Sequence, residues 1–265
     1  MKKAFKALGI AILYLLIFET VQTVVSIAAS VAIAVFCDPT EFVSAVYYFT
    51  NMLGVVADFI CIAILLLIIR AFGKNIKTEL DINPINLKSA LACLVGGIAL
   101  VVLVNNVLAF LPIPESVWQE YADASQALME GPKWAQIVFT VIAAPLCEEI
   151  VFRGLVYNNC RKGMPMAAAV IIGALLFGVV HGQFLWVCYA AACGFFLIMA
   201  YNNTGSLIGC LLMHMGFNGF SQFVPESWDM TGIGWTIISA VVLVSTYVIM
   251  RPVKAIDNDT KEALL

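Results

Sequence analysis

Charge is scarce in this chain. Only 12% of its 265 residues are Asp, Glu, Lys or Arg, while 62% are hydrophobic and the mean hydropathy is +0.98. A soluble domain carries about twice that density of charge, roughly 25%, so a water-soluble globule is excluded. The net charge of -3 is too small to suggest nucleic acid or an acidic partner. Histidine is scarcer still, with two residues, His181 and His214. Neither an H-E-x-x-H nor a C-x-x-C occurs, which removes the usual helical zinc-protease signature and the paired thiols of structural zinc or redox sites. Most of the eight cysteines (Cys61, Cys93, Cys147, Cys188, Cys193 and Cys210 among them) fall inside apolar segments and read as small buried hydrophobes. No soluble domain, low-complexity tract or repeat of 20–50 residues interrupts the chain, so residues 1–265 read as one integral-membrane domain.

What the sequence has in abundance is apolar runs. Eight segments, approximately 8–36, 44–71, 89–111, 134–160, 165–184, 186–201, 205–224 and 232–250, are long or apolar enough to predict an all-α polytopic membrane protein of about eight transmembrane helices. Turn chemistry marks the breaks: Cys37-Asp38-Pro39-Thr40, the polar loop Lys74 to Lys88 with Asn83-Pro84, Pro112 and Pro114, Gly163-Met164-Pro165, and Asn202-Asn203-Thr204-Gly205. The sixth segment is short, and its division from the fifth is the least marked. The N-terminus, MKKAFKALGIAILYLL, begins like a signal peptide, but its apolar stretch continues to about Phe36 and is read as a retained first helix.

Loop charge sets the expected orientation. Lys2, Lys3, Lys6, Arg70, Lys74, Lys77, Lys88, Arg161, Lys162, Arg251, Lys254 and Lys261 fall on one side. Asp38, Glu41, Glu115, Glu120, Asp123, Glu130, Glu226 and Asp229, with only Lys133, fall on the other. The positive-inside rule then places both termini in the cytoplasm, with a bacterial plasma membrane as the expected location. Val117 to Met129 is expected to form a surface helix on the outer face.

Against this apolar background a few polar side chains stand out. Glu148, Glu149 and Arg153 lie in PLCEEIVFRG, His181 in LLFGVVHGQF, and His214 with Asn218 in GCLLMHMGFN. Ionisable groups at membrane depth are costly and mark function. A helical rise puts Glu148 about 19 Å from Arg161, His181 about 25 Å from Met164, and His214 and Asn218 about 14 and 20 Å from Gly205. These depths bracket the middle of a roughly 30 Å hydrocarbon core. Glu149 and Arg153, four apart with the acid first, suit a same-face ion pair, which leaves Glu148, about 100° around the helix, to act as a base. His214 and Asn218, also four apart, suit a pair of donors to a developing oxyanion. Pro145 deprives the fourth helix of one backbone hydrogen bond and is expected to kink it. Gly178 and Gly182, and Gly205 and Gly209, form G-x-x-x-G pairs that suggest close helix packing. No Ser, Thr or Cys sits beside a histidine in a nucleophile motif, which disfavours an acyl-enzyme. Glu19 and Asp58 also approach the midplane, as a proton path or as structural hydrogen-bonding groups.

The ordered set Glu148-Glu149-x-x-x-Arg153, Phe177-x-x-x-His181 and His214-x-x-x-Asn218 resembles the CAAX protease and bacteriocin-processing (Abi) family, whose eukaryotic members include the Ras-converting CAAX endopeptidase. The match spans about residues 134–224. The resemblance implies a helical intramembrane endopeptidase, often called a metalloprotease. Glu148 and His181 would activate the attacking water, His214 and Asn218 would stabilise the oxyanion, and Glu149 and Arg153 would shape the site. Metal dependence stays open: Glu148, His181 and His214 would be the ligands of a catalytic zinc, and a metal-free glutamate–histidine mechanism fits equally well. The implied partners are a peptide or protein substrate, membrane-associated or prenylated, and the lipid bilayer, with no nucleic acid. The family also includes bacteriocin self-immunity and accessory proteins, which would act by binding. A proton-coupled transporter is a third class, but the chain shows no inverted repeat to support it.

Overall fold

A computed structural model describes residues 2–224 and 228–250. The orientation markers Glu226, Arg251, Lys254 and Lys261 lie outside the described residues. The described residues form helices joined by short turns: α1 (Lys2–Phe36), α2 (Phe42–Ala71), the single turn α3 (Ile76–Glu79), α4 (Leu87–Phe110), α5 (Glu115–Met129), α6 (Lys133–Gly163), α7 (Met166–Val179), α8 (Phe184–Thr204), α9 (Leu207–Phe223) and α10 (Ile233–Ile249). The protein is all-α, and each of the eight predicted apolar segments is a helix. Five of them, α1, α2, α4, α6 and α8, are long and apolar enough to cross a membrane. Large side chains such as Leu16, Val24, Phe59, Leu67, Val241 and Val244 are exposed along the outer helices, as a lipid-facing surface requires. The amphipathic α5 is the predicted surface helix, and it buries none of its residues.

Two boundaries differ from the sequence reading. The fifth segment was expected to run to residue 184, yet α7 ends at Val179. Its 14 residues rise only about 21 Å, less than the roughly 30 Å core. The chain turns there because the amides of His181 and Gly182 bond back to the carbonyls of Gly178 and Val179, and Gly182 adopts a left-handed φ of 73°. His181 therefore sits in a turn beyond the helix end and not within a helix. The sixth helix, expected to be short, is 21 residues long. The Gln183 side chain caps its start by accepting from the Trp186 amide, and α8 continues through Asn202 and Asn203 until Gly205 ends it at φ 63°.

Packing brings the site helices together. A Cβ on Gly97 of α4 would collide with the Met213 carbonyl of α9, and one on Gly216 of α9 with the Leu94 carbonyl of α4. The two backbones thus touch where His214 projects. Gly178 makes a similar approach to Val187 and Ala191 of α8. Of the other paired glycines, Gly182 faces open space in its turn, whereas a Cβ on Gly209 of α9 would collide with Thr204 at the end of α8.

At the basic end of the bundle Asp81 gathers the loops. Its carboxylate accepts from Arg161 at 2.6 Å and from the Tyr201 hydroxyl at 2.6 Å, while its backbone carbonyl accepts from the Leu207 amide. Asn83 and Gly205, and Ser206 and Asn83, are also bonded there. The α3–α4 loop is thereby tied to the ends of α6, α8 and α9.

Candidate active site

The site begins with a missing hydrogen. Pro145 has no amide N–H, and α6 responds by widening: residues Val138–Ala143 and Glu149–Tyr157 form π-helical turns around a short α segment that carries Pro145 and Glu148. Such turns recur at functional sites. In the first of them the Ala144 amide reaches back five residues to the Phe139 carbonyl. The next bond in that register would run from residue 145 to the Thr140 carbonyl, and proline cannot make it. The Asn218 side chain makes it instead, its Nδ2 donating to the Thr140 carbonyl at 2.7 Å. The expected kink is thus a pair of π turns, and its freed carbonyl is satisfied from α9.

Consecutive carboxylates have opposite surroundings. Glu149 is fully buried, and Oε1 accepts from Arg153 Nη1 at 2.9 Å and from His214 Nδ1 at 2.8 Å. The predicted Glu149–Arg153 pair is therefore present, with the guanidinium 1% exposed. Arg153 is held further by the Gly194 carbonyl, 3.3 Å from Nη2, and by the Phe177 ring, 4.2 Å from Cζ. Glu148 makes none of these bonds. Its side chain is 20% exposed and borders a cavity, with Oε2 lying 3.8 Å from His214 Nε2.

These contacts fix the histidine tautomers by elimination. A carboxylate paired with arginine can only accept, so His214 Nδ1 carries the hydrogen and Nε2 of the neutral ring is an acceptor facing Glu148. His181 Nδ1 lies 2.9 Å from the Phe177 carbonyl, also purely an acceptor, so its Nε2 is the acceptor as well. Phe177 stands between the two imidazoles, with edge contacts of 5.1 Å to His181 and 5.9 Å to His214. Glu148, His181, His214 and Asn218 line one cavity of about 370 Å³. All four candidate catalytic residues from the sequence therefore meet, and Glu149 and Arg153 form the support behind them.

Some site members were not legible in advance. The Thr140 and Gly194 carbonyls are backbone groups and carry no sequence signature. In the sequence Phe177 is only the partner of His181 in a motif, yet in the structure it braces Arg153 and both histidines. Trp186 lies against the His181 ring at 5.6 Å. Glu19 and Asp58 do not line the cavity. Asp58 is buried and accepts from Gln22 Nε2 at 2.8 Å, which ties α2 to α1 as a structural hydrogen bond. Among the described residues no group of three His, Cys, Asp or Glu side chains is placed to hold a metal ion. Glu148, His181 and His214 thus do not fit the zinc-ligand arrangement that the sequence left open.

Residues 130–220 match the family model for Rce1-like type II CAAX prenyl endopeptidases. The chain is 29% identical over 175 residues to an uncharacterized protein of Mycoplasma capricolum subsp. capricolum, covering 59% of this chain and 51% of that one. It is 32% identical over 90 residues to the membrane-embedded CAAX protease MroQ of Staphylococcus aureus, covering 32% and 36% of the two chains. It is 21% identical over 169 residues to the putative membrane peptidase YdiL of Bacillus subtilis, covering 63% and 68%. The alignments thus span about half of the first relative and about a third of the second. No solved structure matches the chain.

Proposed function

We propose that this multi-pass membrane protein is an endopeptidase of the Rce1-like CAAX type and hydrolyses peptide bonds with a water molecule activated by Glu148. The observation that carries the proposal is the division between adjacent acids: Glu149 is held at Oε1 by Arg153 and His214, while Glu148 faces the cavity without an arginine.

The chemistry follows from the bonds already described. Water seated between Glu148 and His181 gives a proton to the Glu148 carboxylate, and the hydroxide attacks the scissile carbonyl. The His181 lone pair at Nε2 orients that water. The proton on Glu148 passes to His214 Nε2, 3.8 Å away in the resting site. The imidazolium so formed is stabilised at Nδ1 by the Glu149 carboxylate, in the manner of a buried acid behind a catalytic histidine. His214 Nε2–H then becomes a donor to the oxyanion. Asn218 supplies its second amide hydrogen, since only one is used by Thr140. Collapse of the tetrahedral intermediate breaks the C–N bond, and the stored proton returns through Glu148 to the leaving amine.

The test is cleavage of a fluorogenic peptide library by the full chain purified in detergent, wild type against Glu148→Gln. Cleavage by the wild type and loss in the variant support the reading. A wild type that protects cells from a bacteriocin but cleaves nothing would replace it with a binding role.

A further inference from the structure

The cavity lies in one half of the bundle. Its lining residues on α4 fall between Leu100 and Leu108, on α6 between Phe139 and Glu148, and on α9 between His214 and Gln222. On α8 they fall between Trp186 and Leu197. Each set lies toward the end of its helix where α5 sits. Contacts across that end confirm the alignment, since Asn51 bonds the Leu128 and Glu130 carbonyls, Lys133 bonds Gln222, and Asn106 bonds the Met230 carbonyl. The opposite end, tied together by Asp81, contributes no lining residue.

The two ends differ in charge. Lys2, Lys3, Lys6, Arg70, Lys74, Lys77, Lys88, Arg161 and Lys162 belong to the closed end, whereas Lys133, the first residue of α6, is the single cation at the cavity end among the described residues. Lys and Arg concentrate on the cytoplasmic side of membrane proteins. The mouth therefore faces away from the cytoplasm.

Helix α5 roofs this mouth without being built into the core. Tyr121, Ser125, Leu128 and Met129 face the cavity, and α5 buries no residue. Its C-terminal end is pinned, because the buried Asn51 and Gln136 amides bond the carbonyls of Leu128 through Gly131. Its middle rests on ring contacts of Tyr121 with Trp186 and Tyr189, at 6.0 and 6.1 Å. Trp186 is the ring that touches His181, so the roof contact is continuous with the site. The wall below is apolar, with Leu100, Val104, Leu108, Phe139 and Phe217 facing the four polar residues.

We propose, resting on the proteolytic reading above, that the substrate is an unfolded polypeptide segment that reaches the site from the extracytoplasmic face. It passes beneath α5 and seats an apolar side chain beside the scissile bond. This substrate class differs from a soluble cytoplasmic chain end, which would meet the closed, basic end of the bundle.

The experiment uses the full chain with Cys37 and Cys188 replaced by serine. A cysteine is introduced either at the mouth, by Ser221→Cys, or at the closed end, by Lys77→Cys, and a membrane-impermeant maleimide is the probe. Right-side-out vesicles should label Ser221→Cys and spare Lys77→Cys, and inside-out vesicles should do the reverse. Labelling of Ser221→Cys only in inside-out vesicles overturns the proposal, whatever the activity. An impermeant fluorogenic peptide with an apolar centre should likewise be cleaved by right-side-out vesicles. Cleavage by intact inside-out vesicles alone also overturns it. If detergent-opened vesicles cleave nothing, proteolysis fails, and the labelling still decides which face the cavity serves.

Discussion

His214 gives its Nδ1 hydrogen to Glu149 across 2.8 Å, at an oxygen that Arg153 already occupies. The ion pair is thus more than a brace between turns of α6. It sets which ring nitrogen of a histidine on another helix is free to face Glu148. Glu149→Gln keeps the shape but removes the charge that stabilises the imidazolium. By analogy with the loss of the buried acid from a catalytic triad, turnover should fall about 10²- to 10⁴-fold, with little change in KM. Steady-state kinetics on a cleaved peptide check this. An unchanged kcat would detach Glu149 from the chemistry.

Arg153 carries the opposite prediction, one of stability. It is 1% exposed and its carboxylate partner is fully buried. Arg153→Ala strands that carboxylate and removes the cation from the Phe177 face. The loss of one partner of a buried pair costs on the order of 3–5 kcal/mol. Thermal unfolding in detergent should show a clear downward shift. A melting curve identical to that of the wild type would mean that the pair is solvated.

How much of this was readable beforehand depended on the kind of group involved. Glu149 and Arg153 were legible because an i, i+4 spacing survives the change from an α to a π turn closely enough to keep the pair. The helices were legible because apolar length needs no tertiary context. The end of α7 was not, since Val179, Val180 and the apolar residues after Gln183 continue the hydrophobic pattern across a turn. Only the left-handed Gly182 breaks it. The role of His214 was half legible. Its spacing from Asn218 suggested a shared duty as donors, whereas its bond to Glu149 makes the neutral ring an acceptor at Nε2. That distinction depends on packing α9 against α6, which no local pattern records.

Asn218 has two duties to separate, one to the Thr140 carbonyl and one to the oxyanion. Asn218→Ala should lower turnover about 100- to 1000-fold, as for removal of one oxyanion donor. Pro145→Ala restores a backbone N–H that reaches Thr140 without Asn218. If Asn218 only satisfies that carbonyl, the double variant regains the activity of Pro145→Ala alone. The double variant should stay impaired, because the second amide hydrogen is still missing. A double-mutant cycle on kcat measures the difference.

Metal chelation provides an independent check. The site residues form no three-ligand group among the described residues, so activity should survive prolonged treatment with a strong chelator. Inactivation that is reversed by added zinc would recast His181, His214 and Glu148 as ligands.

The most direct measurement is peptide cleavage by Glu148→Gln compared with the wild type, with both purified in detergent and matched for thermal unfolding. Glu148 makes no bond to Arg153 and borders the cavity, so the substitution should leave the fold intact. A stable protein with proteolysis abolished is the expected result. A Glu148→Gln variant that cleaves at the wild-type rate would contradict it.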